Sequence, residues 1–159
     1  MKKEKVFRFI ISVAITNAAG FIGSFFTAPN IGSWYATINK PGFTPPNWVF
    51  APAWTTLFVL MGISLYLVWE KGIEKKEVRI GIGVFGVQLF LNILWSLIFF
   101  GLQNPFYALL EIIALWLAIL ATIFLFYRIS RKAGYLLAPY IIWVSFAGFL
   151  NYSIWILNL

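Results

Sequence analysis

Five stretches of this 159-residue chain, 6–27, 47–69, 79–101, 105–128 and 134–158, are each apolar for about 20 residues or more. A helix rises about 1.5 Å per residue, so each is long enough to cross the hydrocarbon of a bilayer. The chain is 62% hydrophobic and 11% charged, more apolar surface than a soluble domain of this length can hide. Strict alternation of apolar and polar residues is not seen, which argues against a β-barrel. The expected fold is all-α: an integral membrane bundle of five transmembrane helices, with an ordered loop between helices 1 and 2. No internal repeat or low-complexity linker divides the sequence, so residues 1–159 are expected to form a single domain. The link around Gln103-Asn104-Pro105 is so short that the third and fourth spans must form an antiparallel hairpin.

The basic residues set an expected orientation. Lys2, Lys3, Lys5 and Arg8 precede the first span, Lys71, Lys75, Lys76 and Arg79 lie between the second and third, and Arg128, Arg131 and Lys132 between the fourth and fifth. With five spans these clusters share one side, and Lys40 alone lies opposite. The positive-inside rule then places the amino terminus in the cytoplasm and the first loop and carboxyl terminus outside, in a membrane expected to be a bacterial cell membrane. The same distribution argues against nucleic acid as a partner, although the net charge is +7: no single exposed face carries it. The basic-then-apolar start with Ala18-Ala19 also fits a cleaved signal peptide, but the run continues as Phe21-Ile22-Gly23-Ser24-Phe25-Phe26, which favours an uncleaved first span.

The chain has no cysteine, histidine or aspartate. Disulfide and thiol chemistry, the usual general base and the common metal ligands are thereby removed, and neither a cofactor nor a metal site is expected. One carboxylate in a span does not make an acid–base pair.

The loop between the first two spans is not a permissive connector. It carries Trp34-Tyr35, then Lys40-Pro41-Gly42-Phe43-Thr44-Pro45-Pro46-Asn47-Trp48-Val49-Phe50 and Pro52-Ala53-Trp54. Each proline fixes its own backbone and pushes the preceding residue toward extended geometry. Prolines and rings together describe a shaped lid over something beneath it.

Polar residues inside the spans are costly and usually face a bundle interior. Gln88, Asn92 and Ser96 recur at intervals of four on one face of the third span, flanked by Trp95 and Phe99. Phe50, Trp54 and Phe58 share a face of the second span, and Tyr140, Trp143, Ala147 and Asn151 a face of the fifth. Counted from the lid side, Trp54, Trp95, Glu111, Asn92 and Asn151 lie roughly 9–14 Å deep, with Trp143 nearer the middle. Polar groups and indoles from four helices thus share a layer suited to a flat, mostly apolar ligand. Other readings stand beside this one. Gln88, Asn92 and Asn151 also suit plain interhelical hydrogen bonds, and Trp34, Trp48, Trp69 and Trp155 an aromatic belt. Trp116 has no polar neighbour at helical spacing and reads as packing or lipid-facing. Glu111 is protonated, hydrogen-bonded or exposed to a wet cavity, because an unpaired charge in lipid is expensive. Ala19-x-x-x-Gly23, Gly20-x-x-x-Ser24 and the pair Gly83 and Gly86 mark close helix contacts, within the bundle or between protomers.

Taken in order, these residues resemble the TspO/translocator protein family of tryptophan-rich sensory proteins and peripheral-type benzodiazepine receptors. The likeness covers essentially the whole chain. It rests on Trp34-Tyr35, Lys40-Pro41, Pro45-Pro46 with Trp48 and Phe50, Pro52-Ala53-Trp54-Thr55, Asn92 with Trp95-Ser96 and Phe99-Phe100, Pro139-Tyr140-x-x-Trp143, and Ala147 through Asn151. The resemblance implies a five-helix bundle, commonly a homodimer, with a pocket under the first loop for porphyrins such as protoporphyrin IX and haem, sterols, or benzodiazepine-type ligands. It implies ligand contacts at Trp34, Tyr35, Trp54, Asn92, Trp95, Trp143 and Ala147, to which the reading of the faces adds Phe50, Glu111, Tyr140 and Asn151. Many relatives have Asp where Glu111 stands. The sterol pattern of the animal proteins is incomplete, because no basic residue follows Leu150 and Tyr152.

A receptor or carrier for tetrapyrroles is therefore expected, with a role in transport, sensing or stress response. Metal-free porphyrin is favoured, since iron could be ligated only weakly by Tyr35 or Tyr140, and propionates are expected near the lid and Lys40. The alternative is an enzyme for light-dependent porphyrin degradation, with Trp54 and Trp143 as catalytic residues. A conventional transporter is disfavoured by the lack of inverted repeats and broken helices, and a purely structural or partner-regulating protein is the remaining reading.

Overall fold

The computed structural model describes residues 2–159. Its helices are α1 (Lys2–Ile31), α2 (Trp34–Thr37), α3 (Asn47–Trp69), α4 (Lys76–Ser96), α5 (Pro105–Ile129), α6 (Arg131–Leu136) and α7 (Ala138–Leu157), with a π-helical turn, Leu97–Gly101, continuing α4. Five spans are long and apolar enough to cross a membrane: α1, α3, α4 with its π turn, α5, and α6 with α7. The protein is a five-helix membrane bundle. Helices satisfy their backbone hydrogen bonds internally, which lipid demands. The outer surface shows large apolar side chains, among them Phe7, Phe25, Phe90, Leu117, Phe124, Ile142 and Phe149, an arrangement that suits acyl chains.

The ends of the helices follow local chemistry. Asn104 caps α5 by accepting from the Tyr107 N–H at 3.1 Å, with Pro105 in the first turn. Pro46 precedes α3, and Pro139 sits in the first turn of α7, next to the break at Leu137. α1 runs to Ile31, beyond the expected end at residue 27, and includes Pro29. Asn30 Nδ2 donates to the Phe26 carbonyl and Ser33 Oγ to that of Pro29, both at 2.9 Å, covering carbonyls near the end of that helix. The fifth span begins at Arg131 rather than 134, because Ser130 is extended and starts a new short helix.

α1 packs on α3 and on α4, while α5 packs against both α4 and α7. The hairpin of α4 and α5 is formed as expected. Toward the basic linkers the core holds Met61, Leu65, Val68, Val78, Leu115, Ile119 and a stacked pair, Phe85 and Phe126, 5.5 Å apart. At that end Glu70 pairs with Arg8 at 3.3 Å and Lys5 at 3.7 Å, joining the start of α1 to the end of α3. Toward the lid a second cluster holds Tyr35, Phe99, Phe100, Ala108, Leu150 and Ile154.

The small residues divide in their roles. Gly20 lies against Phe58 and Gly23 against Ser96, both contacts within the bundle. Gly83 and Gly86 face outward, with no atom near either position, so they mark no contact inside this protomer. The closest approach to a neighbouring backbone is at Gly62, where a Cβ would lie 2.6 Å from Val13 Cα and 2.8 Å from Thr16 Oγ1. Gly62→Ala must therefore push α1 and α3 apart and is expected to cost about 1–3 kcal/mol. Gly83→Ala should be neutral or stabilising. Thermal unfolding of both variants in detergent checks this, and equal midpoints would contradict the packing described.

Candidate ligand-binding site

Beneath the lid lies a cavity of about 470 Å³. Tyr35 of α2 forms its roof. Phe50, Trp54 and Phe58 of α3, Asn92, Trp95 and Phe99 of α4 and its π turn, and Trp143, Ala147 and Asn151 of α7 form its walls. Its rings are packed against one another. Trp54 stacks on Phe58 at 5.7 Å and meets Trp143 edge-on at 6.4 Å, while Trp143 also meets Phe50 at 6.0 Å. Across the cavity Trp95 stacks on Phe99 at 5.0 Å. The π turn buries two consecutive rings, Phe99 and Phe100, which lie 4.8 Å apart.

The lid is tied to the carboxyl end of α7 by hydrogen bonds. Asn39 and Asn158 exchange hydrogen bonds: Asn158 Oδ1 accepts from the Asn39 N–H at 3.0 Å, and Asn158 Nδ2 donates to the Asn39 carbonyl at 2.9 Å. Asn39 Nδ2 donates further to the Leu157 carbonyl at 3.2 Å. Phe43 stacks on Phe149 of α7 at 5.2 Å. Lys40, expected near ligand carboxylates, turns back instead. Its Nζ donates to the carbonyls of Tyr35 (2.6 Å) and Ile38 (3.0 Å) and lies 4.9 Å from the Tyr35 ring centre. Burial raises the Tyr35 hydroxyl above its ordinary pKa of 10.0, so the roof is neutral at physiological pH.

The polar residues fall into two groups. Most are engaged with protein. Tyr140 Oη accepts from Asn92 Nδ2 at 3.0 Å and donates to Gln88 Oε1 at 2.9 Å. Asn151 Oδ1 accepts from Trp95 Nε1 at 3.1 Å, and its Nδ2 donates to the Pro105 carbonyl at 2.8 Å. By contrast, Trp143 Nε1 is buried without a hydrogen-bond partner, as are both carboxyl oxygens of Glu111. An unpartnered buried polar group is costly, and the Trp143 indole lies in the cavity wall.

Eight expected site residues, Tyr35, Phe50, Trp54, Asn92, Trp95, Trp143, Ala147 and Asn151, line this one cavity. Three do not. Trp34 packs outside it, edge-on to Phe99 at 5.6 Å. Tyr140 is fully buried behind the wall, holding Asn92 and Gln88. Glu111 is buried on α5, a helix that contributes nothing to the lining. Depth along its helix brought Glu111 among the expected residues, but depth could not give its azimuth. The reading of the spans missed α1 altogether: Asn17, Gly20, Gly23, Ser24 and Thr27 also line the cavity. The small-residue spacing was the available signal, and it was read as helix contact. Trp116 does have a polar partner, donating to Ser145 Oγ on α7 at 2.9 Å, which spacing within α5 cannot reveal.

Tyr140→Phe keeps the ring and removes the hydroxyl shared by Asn92 and Gln88. We expect a loss of about 0.6–1.7 kcal/mol in stability, measured by unfolding in detergent, and no loss would mean that these amides find other partners.

The sequence profile of the TspO/MBR family matches residues 12–156. Among similar proteins, the tryptophan-rich protein TspO of Archaeoglobus fulgidus is 49% identical over 154 residues, covering 96% of this chain and 98% of that one. Protein CrtK of Rhodobacter capsulatus is 41% identical, covering 88% and 86%, and the translocator protein of Bos taurus is 37% identical, covering 89% and 84%. With the five-helix bundle and the ring-lined cavity beneath its first loop, this match shows that the chain belongs to the TspO/MBR family.

Proposed function

We propose that the protein is a membrane receptor or carrier for flat, mostly apolar ligands of the tetrapyrrole class, protoporphyrin IX above all, held in the cavity under the lid. The observation that carries this is the pairing of indole walls with one buried indole N–H, that of Trp143, left without a partner. A volume of about 470 Å³ falls within the usual range for small-molecule sites. Aromatic walls favour a planar ring system, and stacking contributes about 0.5–1.5 kcal/mol per ring beyond area burial. Lys40 is occupied by lid carbonyls, so recognition rests on the ring system rather than on carboxylates. Metal-free porphyrin remains the favoured form, because Tyr140 is engaged behind the wall and the chain lacks histidine and cysteine. The names of relatives, translocator protein and tryptophan-rich sensory protein, fit transport or sensing.

The edge-on pair of Trp54 and Trp143, 6.4 Å between centroids, supports a second reading, light-dependent porphyrin degradation with these two residues as catalytic groups. The proposal also places the amino terminus in the cytoplasm, by the positive-inside rule. It has the protein working as a homodimer, for which the outward Gly83 and Gly86 on α4 offer a close-packing face.

Titrating protoporphyrin IX against tryptophan fluorescence in nanodiscs tests the main reading. Saturable binding is expected, weakened about tenfold or more in the Trp54→Ala plus Trp143→Ala variant, and unchanged binding in that variant would reject the pocket. Porphyrin absorbance under illumination separates the two readings: equal bleaching rates with and without the two indoles would exclude catalysis by them.

A further inference from the structure

The cavity is roofed by the lid, and part of its lining reaches the outer surface of the bundle. Its lining includes two stripes of side chains that are nonetheless exposed on the outer surface of the bundle. One stripe, Phe21, Ser24 and Ala28, runs up α1. The other, Asn47, Ala51 and Thr55, runs down α3. Their spacings of three or four residues put each set on one helical face. A residue that both walls a cavity and is exposed marks an opening, and here two facing stripes border one slot.

The slot arises from how α1 leans. Toward the basic linkers α1 is pinned to α3, at Gly62 and through Thr16 Oγ1, which donates to the Phe58 carbonyl at 2.7 Å. Gly20 lies so close to the Phe58 ring that a Cβ there would collide with it. Above that level α1 leans on the neighbouring hairpin instead. Gly23 sits against Ser96 and Phe26 against Gly101, and Gln103 Nε2 donates to Asn30 Oδ1 at 3.2 Å. α1 and α3 therefore meet low and part high. Ser24 lies seven residues from the end of α1 and Thr55 eight from the start of α3, so the slot reaches roughly 10–12 Å down from the lid.

Its chemistry suits lipid. Ser24 Oγ donates to the Phe21 carbonyl at 2.6 Å, Thr55 Oγ1 to that of Ala51 at 2.8 Å, and Thr27 Oγ1 to that of Gly23 at 3.2 Å. Each hydroxyl is satisfied on its own helix, so the rim offers small, mainly carbon-lined edges and no unpaired hydroxyl donor to the acyl chains. On the lid side, Asn39 and Asn158 are hydrogen-bonded to each other and Tyr35 is buried.

We propose that the slot between α1 and α3 is a lateral portal, through which a flat apolar ligand dissolved in the lid-side leaflet passes into the cavity while the lid stays latched. The identity of the ligand rests on the tetrapyrrole reading above; the existence of the portal does not.

The experiment has two arms, both helped by the absence of native cysteine. In the first, Ala147→Cys on the cavity wall is alkylated in nanodiscs by pyrenylmaleimide, which partitions into lipid. Adding Ala51→Trp at the rim is expected to slow the reaction at least tenfold, and an unchanged rate would overturn the portal whatever the natural ligand is. In the second, Asn39→Cys with Asn158→Cys is oxidised to lock the lid, and protoporphyrin IX association is followed by tryptophan quenching. A rate within twofold of the reduced form supports lateral loading, and a tenfold or greater loss overturns it. If protoporphyrin IX fails to bind even the unaltered protein, the tetrapyrrole reading falls and the alkylation arm alone judges the portal. Disulfide formation between copies of an Ala51→Cys variant in the membrane would assign the slot to a second protomer and so overturn the proposal.

Discussion

The crossing of α1 over α3 at Gly62 is the constraint on which the rest of this molecule depends. Without a side chain at that position, the backbone of α1 near Val13 comes into direct contact with α3, and Thr16 hydrogen-bonds the Phe58 carbonyl just beside it. Lipid supplies no hydrophobic drive between helices, so such close packing and such bonds hold a membrane bundle together. Once the two helices are fastened low, their upper halves are free to diverge. The space between them, bounded by α4 and α7 and roofed by the lid, is the cavity.

The rings around that space do two jobs that a list of tryptophans conflates. Trp95 is fixed by Asn151, and Trp116 by Ser145, so these indoles are cross-braces between helices as well as bulk. Trp143 is held only by its ring neighbours, and its N–H has no protein partner. Trp48, three-quarters exposed at the foot of the lid, suits a place in the interfacial belt. The same residue type thus serves as brace, wall and anchor, depending on what its N–H can reach.

Much of this was legible in the residues. Apolar runs long enough to span gave the five helices, because in lipid length and hydropathy leave few alternatives. Spacing by four correctly gathered Phe50, Trp54 and Phe58, and Asn92 with Ser96, onto walls that face one another. What spacing could not give was the rotation of one helix relative to the next. Glu111 and Tyr140 turn behind the lining, and α1, whose contribution is mostly small side chains, carried no aromatic or amide stripe to announce itself. Nor could the reach of Lys40 be read from its position. A lone cation on a loop is equally able to meet a ligand or its own carbonyls, and here it finds the latter, at Tyr35 and Ile38, five and two residues back.

The π turn at Leu97–Gly101 has a consequence for the length of the chain as well as for its shape. A wide turn closes its hydrogen bond one residue later than an α turn, as the Leu102 N–H does on the Leu97 carbonyl at 2.8 Å, so the segment accommodates a supernumerary residue. That surplus lets the adjacent Phe99 and Phe100 both turn inward beneath Trp34 and Tyr35. A deletion of one position here would restore regular winding yet rotate everything from Phe100 to the hairpin out of phase, taking away the shelf on which the roof rests. Insertions and deletions, far better tolerated in the loops, are therefore barred from this one helical stretch by geometry alone.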